Sequence, residues 1–172
     1  MKIVYVALCG ENFNAFSLDS FIRKQTVKRC WRKVNGEYAL KPVEYVEDWT
    51  LTERMEMAAY IIDELKNGGK TFGAFDCGKL IGYACISAGV LGSAGQYLLL
   101  SGFYVSLPYR KNGIGKCLFE EACASAKVGG AKKLFISAHS AEDSIAAYKK
   151  YGCVLAKEKN VALAEKEPCD LP

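Results

Sequence analysis

The sequence predicts an α+β fold of three layers, helix, sheet and helix, built on a mixed, mainly antiparallel twisted sheet. Three observations predict it. Asn35-Gly36 and Cys77-Gly78 each separate two apolar runs, the pattern of antiparallel hairpins. Residues 96–138 read as strand, helix, strand, which makes those two strands parallel through a right-handed crossover. Helical patterns before and after this unit supply cover for both sheet faces. With 172 residues, 51% of them hydrophobic and 24% charged, the chain suits a single domain with a sizeable core.

The elements follow in order. Residues 1–9 read as a short opening strand. Their apolar run is at the lower limit for a signal peptide, and Glu11 follows without a small-residue cleavage site. The spacing of Phe13, Phe16 and Phe21 predicts a helix from Glu11 to about Arg23. Val27–Val34 and Glu37–Tyr45 form a hairpin about Asn35-Gly36, two residues that tolerate positive φ. Thr50-Leu51-Thr52-Glu53 fits a capping box, so a helix starts there. Met55, Ala58, Ala59, Ile62 and Leu65 give it one apolar face, and Gly68-Gly69 stops it. Strands Thr71–Asp76 and Leu80–Ser87 flank the second turn, and a Gly-rich loop from Ala88 to Gly95 leads to the longest strand, Gln96–Ser106. A helix from about Gly113 to Lys127, closed by Gly129-Gly130, precedes strand Lys133–Ala138, helix Glu142–Tyr151 and strand Cys153–Lys157. Ala162–Lys166 reads as a last strand. No linker interrupts the chain, so 1–172 is taken as one domain.

Composition excludes several classes. The formal charge of +4 is modest and spread out, which does not indicate nucleic-acid binding. No stretch approaches the roughly 20 apolar residues that span a bilayer. The 8 cysteines include no C-x-x-C pair, and His139 is the only histidine, so neither a zinc site nor another metal centre is expected. Most of these cysteines sit in apolar segments, as small hydrophobes do. A reduced, cytoplasmic protein is expected.

The chemistry concentrates between strand Gln96–Ser106 and the next helix, in Arg110-Lys111-Asn112-Gly113-Ile114-Gly115-Lys116. Two glycines one residue apart let the backbone approach a ligand. The first N–H groups of the helix lack internal partners and carry the positive end of its dipole, a ready pyrophosphate site. Arg110, Lys111 and Lys116 add charge around it. A Walker A loop is excluded because Cys117 follows Lys116 and no glycine lies five residues before Gly115. A dinucleotide fingerprint is excluded because Leu118 stands where its third glycine belongs.

Arg110-x-x-Gly113-x-Gly115 resembles the R-x-x-G-x-G signature of the GCN5-related N-acetyltransferase (GNAT) superfamily. Asp143–Cys153, a helix ending in Tyr148-x-x-x-Gly152 and a short strand, is similar to the family's later motif. The likeness runs from about Thr71 to Cys153. More loosely, Thr26–Lys33 and Glu167–Asp170 are similar to a bacterial, small-molecule-type branch. Two departures stand out: Ala141 replaces a frequent Asn, and Cys153 replaces an aromatic residue.

The resemblance implies an acyl-CoA N-acyltransferase fold, with residues 71–153 as the acetyl-coenzyme A core and 1–70 on the acceptor side. It implies a ternary complex in which acetyl passes directly to a primary amine, most simply of a small molecule. Phe103, Tyr104 and Val105 would meet the pantetheine arm through their main chain, and residues 110–116, Asn112 and Ile114 included, would hold the pyrophosphate. Independently, Gly102 inside a strand marks a bulge or a close neighbour. The resemblance puts Tyr148 near the sulfur as general acid, since a phenol can protonate a leaving thiolate. No carboxylate lies on Gln96–Ser106, so the base is open among His139, Glu47, Asp48 and a water chain. The acidic run from Glu44 to Glu56 could draw a cationic acceptor or simply favour a helix N-terminus. The alternatives are a non-catalytic coenzyme A sensor, another acyl group, or a protein amine as acceptor. A short last strand would leave a sheet edge open to a second copy, hence a possible homodimer.

Overall fold

The computed structural model describes residues 2–172. Its main sheet has five strands in the order β1 (Val4–Ala7), β4 (Lys70–Asp76), β5 (Lys79–Leu91), β6 (Tyr97–Val105) and β7 (Lys133–Phe135). Three neighbour pairs are antiparallel, and only β6 and β7 run parallel, joined by helix α2 (Ile114–Val128). The mixed, mainly antiparallel sheet with one crossover is therefore observed. Strands β2 (Gln25–Val34) and β3 (Glu37–Glu47) form a separate two-stranded hairpin. Asn35 and Gly36 both take positive φ, 50° and 90°, as the twist of a two-residue turn requires.

Helix α1 (Leu51–Lys66) starts at the expected capping box: the Glu53 N–H donates to Thr50 Oγ1 at 3.2 Å, and the Thr50 N–H to Glu53 Oε2 at 2.7 Å. Its buried arc centres on Ala58 and Ile61, with Met57, Ile62 and Leu65 beside them. Met55 and Ala59 fall outside that arc and are exposed.

Two cores cover the two faces. On one, Ile81, Ala84, Leu98 and Leu100 pack under Ile114, Leu118, Ala122 and Ala126 of α2. On the other, Leu80, Tyr83 and Cys85 meet Ala58 and Ile61 of α1 together with Leu8, Phe13, Leu18 and Phe21.

β5 runs on to Leu91, through half of the expected loop, so it and not the Gln96–Ser106 strand is the longest of the main sheet, and three further expected elements differ. Residues 11–23 form successive turns rather than a helix. Asn12 Oδ1 accepts from the Cys9 N–H, Asn14 Oδ1 from the Phe16 N–H, and Ser17 Oγ from the Asn14 N–H. These local bonds give the backbone an alternative to helix, while Phe13 and Phe21 still reach the core. Residues 153–157 form no strand, and Val154 is 83% exposed. The segment taken for a last strand is instead helix α4 (Val161–Lys166), capped by Asn160, whose Oδ1 accepts from the Leu163 N–H at 3.0 Å. Among the described residues, no helix is long and apolar enough to cross a membrane.

Candidate active site

The parallel pairing of β6 with β7 stops at Leu99 and Phe135, two registers after it begins at Tyr97 and Lys133. β6 continues to Val105 on β5, whereas β7 ends at Phe135 and Ala138, three residues on, pairs with Leu171 instead. The two strands thus fork, and the β7-facing edge of β6 has no strand partner from Leu100 onward. At the fork the β5–β6 register slips: Cys85 opposes Gly102, but Ile86 opposes Leu100, so Ser101 is the extra residue of a bulge. A Cβ on Gly102 would lie 3.0 Å from the Tyr83 ring, so this glycine serves both the bulge and a close neighbour.

After β6, a single 3-10 turn (Leu107–Tyr109) leads into residues 110–116. Lys111 and Gly113 take positive φ, 65° and 82°, and Gly113 is the N-cap of α2. The first α2 bond runs from the Cys117 N–H to the Gly113 carbonyl at 3.2 Å, leaving the N–H groups of Ile114, Gly115 and Lys116 without intrahelical acceptors. Nothing lies within 4 Å of a Cβ position at Gly113, so open space faces this corner. Asn112 turns its side-chain amide back to the carbonyls of Tyr109 and Arg110. Lys116 is exposed beside Glu120. A turn with free amides, a left-handed cap and open space fits a pyrophosphate.

Arg110 does something the sequence did not suggest. Its guanidinium donates to three carbonyls: Val105 at 2.8 Å, Lys24 at 2.9 Å and Arg23 at 2.6 Å. The side chain staples the loop to the segment before β2, so its charge is spent on backbone rather than held out to solvent.

Phe103 and Val105 point to the α2 side of the fork. There Phe103 meets Tyr148 (ring centroids 5.9 Å) and Tyr151 (6.2 Å), while Tyr151 stacks on Phe119 at 5.0 Å. Burial, reinforced by Tyr104, Cys153 and neighbouring charges, pushes the Tyr148 phenol well above its usual range and keeps it protonated. Tyr104 faces the other way, against Trp49 and Tyr83, with the Arg23 guanidinium 5.8 Å from its ring.

The hairpin brings the remaining groups. It docks on residues 139–142 through the Trp31 N–H to the Ser140 carbonyl (2.8 Å) and Arg29 to Glu142 (2.6 Å). That docking sets Glu47, the last residue of β3, against His139. Glu47 Oε1 lies 3.0 Å from His139 Nε2, and Glu47 Oε2 lies 2.5 Å from Nη1 of the buried Arg23. His139 Nδ1 accepts from the Ala141 N–H at 3.2 Å, so the ring hydrogen sits on Nε2, facing Glu47 and the Tyr45 hydroxyl 3.3 Å away. Both ring nitrogens are engaged, and no lone pair is left for an amine. Asp48 hydrogen-bonds the Trp49 N–H.

Two site residues escaped the sequence reading. Arg23 falls at the end of the expected helix from Glu11, and nothing in its neighbours marks it as Glu47's partner. Asp170, noted only within a family-like segment, reaches the site because Ala138 and Leu171 pair antiparallel, with N–H to carbonyl distances of 2.8 and 2.9 Å. Asp170 and His139 are then neighbours across that bridge. No sequence pattern marks a one-residue bridge. Between the hairpin and this C-terminal segment lies a cavity of about 280 Å³ whose wall includes Trp31, Tyr38, Ser137 and Asp170. Among the described residues no group of His, Cys, Asp and Glu gathers as metal ligands.

A forked parallel pair beside a glycine-rich helix start defines an acyl-coenzyme A transferase architecture. Residues 31–153 match the model of the acetyltransferase (GNAT) family, and the chain belongs to that family. Acetyl-coenzyme A is its co-substrate, and it is an acyltransferase. No curated protein sequence matches the chain. Among solved structures it is similar to a putative streptothricin acetyltransferase from Bacillus anthracis in complex with acetyl coenzyme A (TM-score 0.70, 18% identity, 99% of this chain and 95% of that one). It is also similar to nourseothricin acetyltransferase (TM-score 0.69, 19% identity, 90% and 84%). An aminoglycoside acetyltransferase from an uncultured soil metagenomic sample aligns at TM-score 0.56 and 16% identity over 94% and 99%.

Proposed function

We propose that this chain acetylates a primary amine of a small molecule, by direct attack on acetyl-coenzyme A in a ternary complex, with Tyr148 as the acid. The observation that carries the reading is the fork. It opens the main chain of residues 100–105 for the pantetheine arm, in line with the free amides of residues 114–116 for the pyrophosphate. In that line Phe103, Tyr104 and Val105 hold the arm. Lys111, Asn112, Gly113, Ile114, Gly115 and Lys116 hold the phosphates, and Arg110 fixes the loop that presents them.

Tyr148 packs on Phe103 within the fork, where the thioester would lie. Its raised pKa keeps the proton in place until a thiolate forms. A cavity of about 280 Å³, flanked by Trp31 and Tyr38, suits a small acceptor. The streptothricin, nourseothricin and aminoglycoside acetyltransferases named above support the same class of acceptor. The 8 unpaired cysteines suit the reducing cytoplasm.

The experiment is coenzyme A thiol release from acetyl-coenzyme A with a panel of primary amines, including streptothricins and aminoglycosides. Turnover is expected with at least one amine. Tyr148→Phe should lower kcat by roughly 10²–10⁴-fold with acetyl-coenzyme A affinity retained. Tight binding without release from any amine would replace the enzyme by a coenzyme A sensor.

A further inference from the structure

We infer that Asp170 is the catalytic base: its carboxylate takes the proton of the attacking amine, and the backbone bridge between Ala138 and Leu171 holds it in place. The inference rests on the acetyltransferase reading above and adds to it a group outside both the Arg110-x-x-Gly113-x-Gly115 and the Tyr148-x-x-x-Gly152 motifs.

Several carboxylates are already held by other groups. Glu47 has one oxygen on Arg23 and the other on His139. Glu53 is held in the α1 capping box, Glu142 by Arg29, Glu64 by Tyr60 and Ser87, and Glu158 by Ser93. His139 has no lone pair to offer. Asp170 is half-buried, lines the cavity and faces no lysine or arginine at ion-pair distance among the described residues.

Its placement follows from backbone geometry. In the antiparallel bridge between Ala138 and Leu171, both side chains turn inward and pack with Ile145 and Tyr148. His139 and Asp170, one step along on each side of the bridge, share the opposite face, since successive side chains of extended backbone alternate. Asp170 thus hangs beside a segment that packs on the acid, Tyr148, and its other face lines the space where an acceptor would lie.

The titratable groups facing it are consistent with the role. Burial pushes the Asp170 carboxyl above the usual carboxylate range; Glu167 and Glu47 reinforce this, and His139 and Ser137 oppose it. Asp170 in turn raises both Tyr104 and Tyr148. The basic groups Arg32, Lys33 and Lys159 lie along the cavity wall. A carboxylate of raised basicity is better matched to an amine proton than an ordinary one.

The step balances. The amine nitrogen forms a bond to the thioester carbonyl carbon while its N–H proton passes to Asp170. The C–S bond breaks, its electron pair leaves with sulfur, and sulfur takes the Tyr148 phenolic proton. The proton on Asp170 returns through solvent to the tyrosinate, leaving amide and free thiol.

The test is steady-state thiol release by the full chain with an accepted primary amine, comparing wild type, Asp170→Asn and Asp170→Glu across pH 5–9, with acetyl-coenzyme A affinity by calorimetry. Asp170→Asn is expected to lose roughly 10²-fold in kcat/KM. The acidic limb of its pH profile should vanish, and acetyl-coenzyme A should bind as in wild type. Asp170→Glu should recover part of the rate and the limb. Equal kcat/KM and an unchanged acidic limb in Asp170→Asn overturn the assignment while leaving the acetyltransferase standing. No release by wild type with any amine overturns the enzyme reading and the assignment with it.

Discussion

The Tyr151 hydroxyl lies where a side chain at Gly115 would begin: a Cβ there would sit 3.0 Å from that oxygen. The same ring stacks on Phe119 of α2 and meets the edge of Phe103 on β6. One tyrosine from the end of α3 (Glu142–Lys150) therefore closes the start of α2 against the fork.

Substituting the two loop glycines should consequently have different causes. Gly115→Ala pushes on Tyr151 and should cost about 1–3 kcal/mol in urea unfolding, the usual range for overpacking. Gly113→Ala meets no atom, but its φ of 82° disfavours a side chain, so it should cost about 1 kcal/mol. Both should weaken acetyl-coenzyme A at least tenfold by calorimetry, because both disturb amides 114–116. Wild-type affinity in Gly113→Ala would remove the phosphates from this corner.

Arg110→Lys should behave as a structural lesion. A lysine cannot reach three divergent carbonyls with one ammonium, and a half-buried guanidinium lost from charged hydrogen bonds costs about 2–4 kcal/mol. The expected result is that loss in urea unfolding, with weaker acetyl-coenzyme A binding whose salt dependence stays unchanged. A flatter salt dependence would show instead that Arg110 neutralises phosphate.

Breaking the pair of Arg23 and Glu47 leaves a charge stranded in a mostly buried place, with side chains only 11% and 27% exposed. Arg23→Met should destabilise by about 3 kcal/mol. It should also lower kcat, because Glu47 then no longer sets His139. Arg23→Met paired with Glu47→Gln should recover much of the stability and little of the rate, read by unfolding and thiol release on the same preparations.

Asp170 gives a prediction in pH. Its folded pKa is raised, so the folded chain holds this proton more tightly than the unfolded one. Its contribution is then most favourable below about pH 4, where both states are protonated, and is lost as pH rises through the raised value. Asp170→Asn removes the ionising group, so its Tm relative to wild type should be higher at pH 7 than at pH 4. A difference independent of pH would mean that Asp170 titrates normally.

Much of this molecule was legible along the chain. Asn35-Gly36, Cys77-Gly78 and Thr50–Glu53 mark turns and a cap through bonds and dihedrals within four residues, and the glycine-rich helix start is equally local. Phe13 and Phe21 show the boundary of that legibility. Their spacing suits a helix and their burial was right, yet Asn12, Asn14 and Ser17 turned the backbone elsewhere through side-chain bonds that periodicity does not weigh.

By itself the sequence determined that the two strands flanking the crossover run parallel and that a glycine-rich turn opens the helix between them, because each depends on neighbours close in the chain; Tyr148 stood out only through the resemblance to the family's later motif. Tertiary structure alone decided that Arg110 grips carbonyls of Arg23 and Lys24, that Glu47 and His139 occupy each other, and that Asp170 lines the cavity with no lysine or arginine paired to it among the described residues. Those outcomes depend on where a hairpin docks and on a one-residue bridge between Ala138 and Leu171. The docking pair Arg29 and Glu142 lies 113 positions apart and the Arg110 contacts with Lys24 and Arg23 span 86 and 87, and such contacts form only once packing has brought distant segments together.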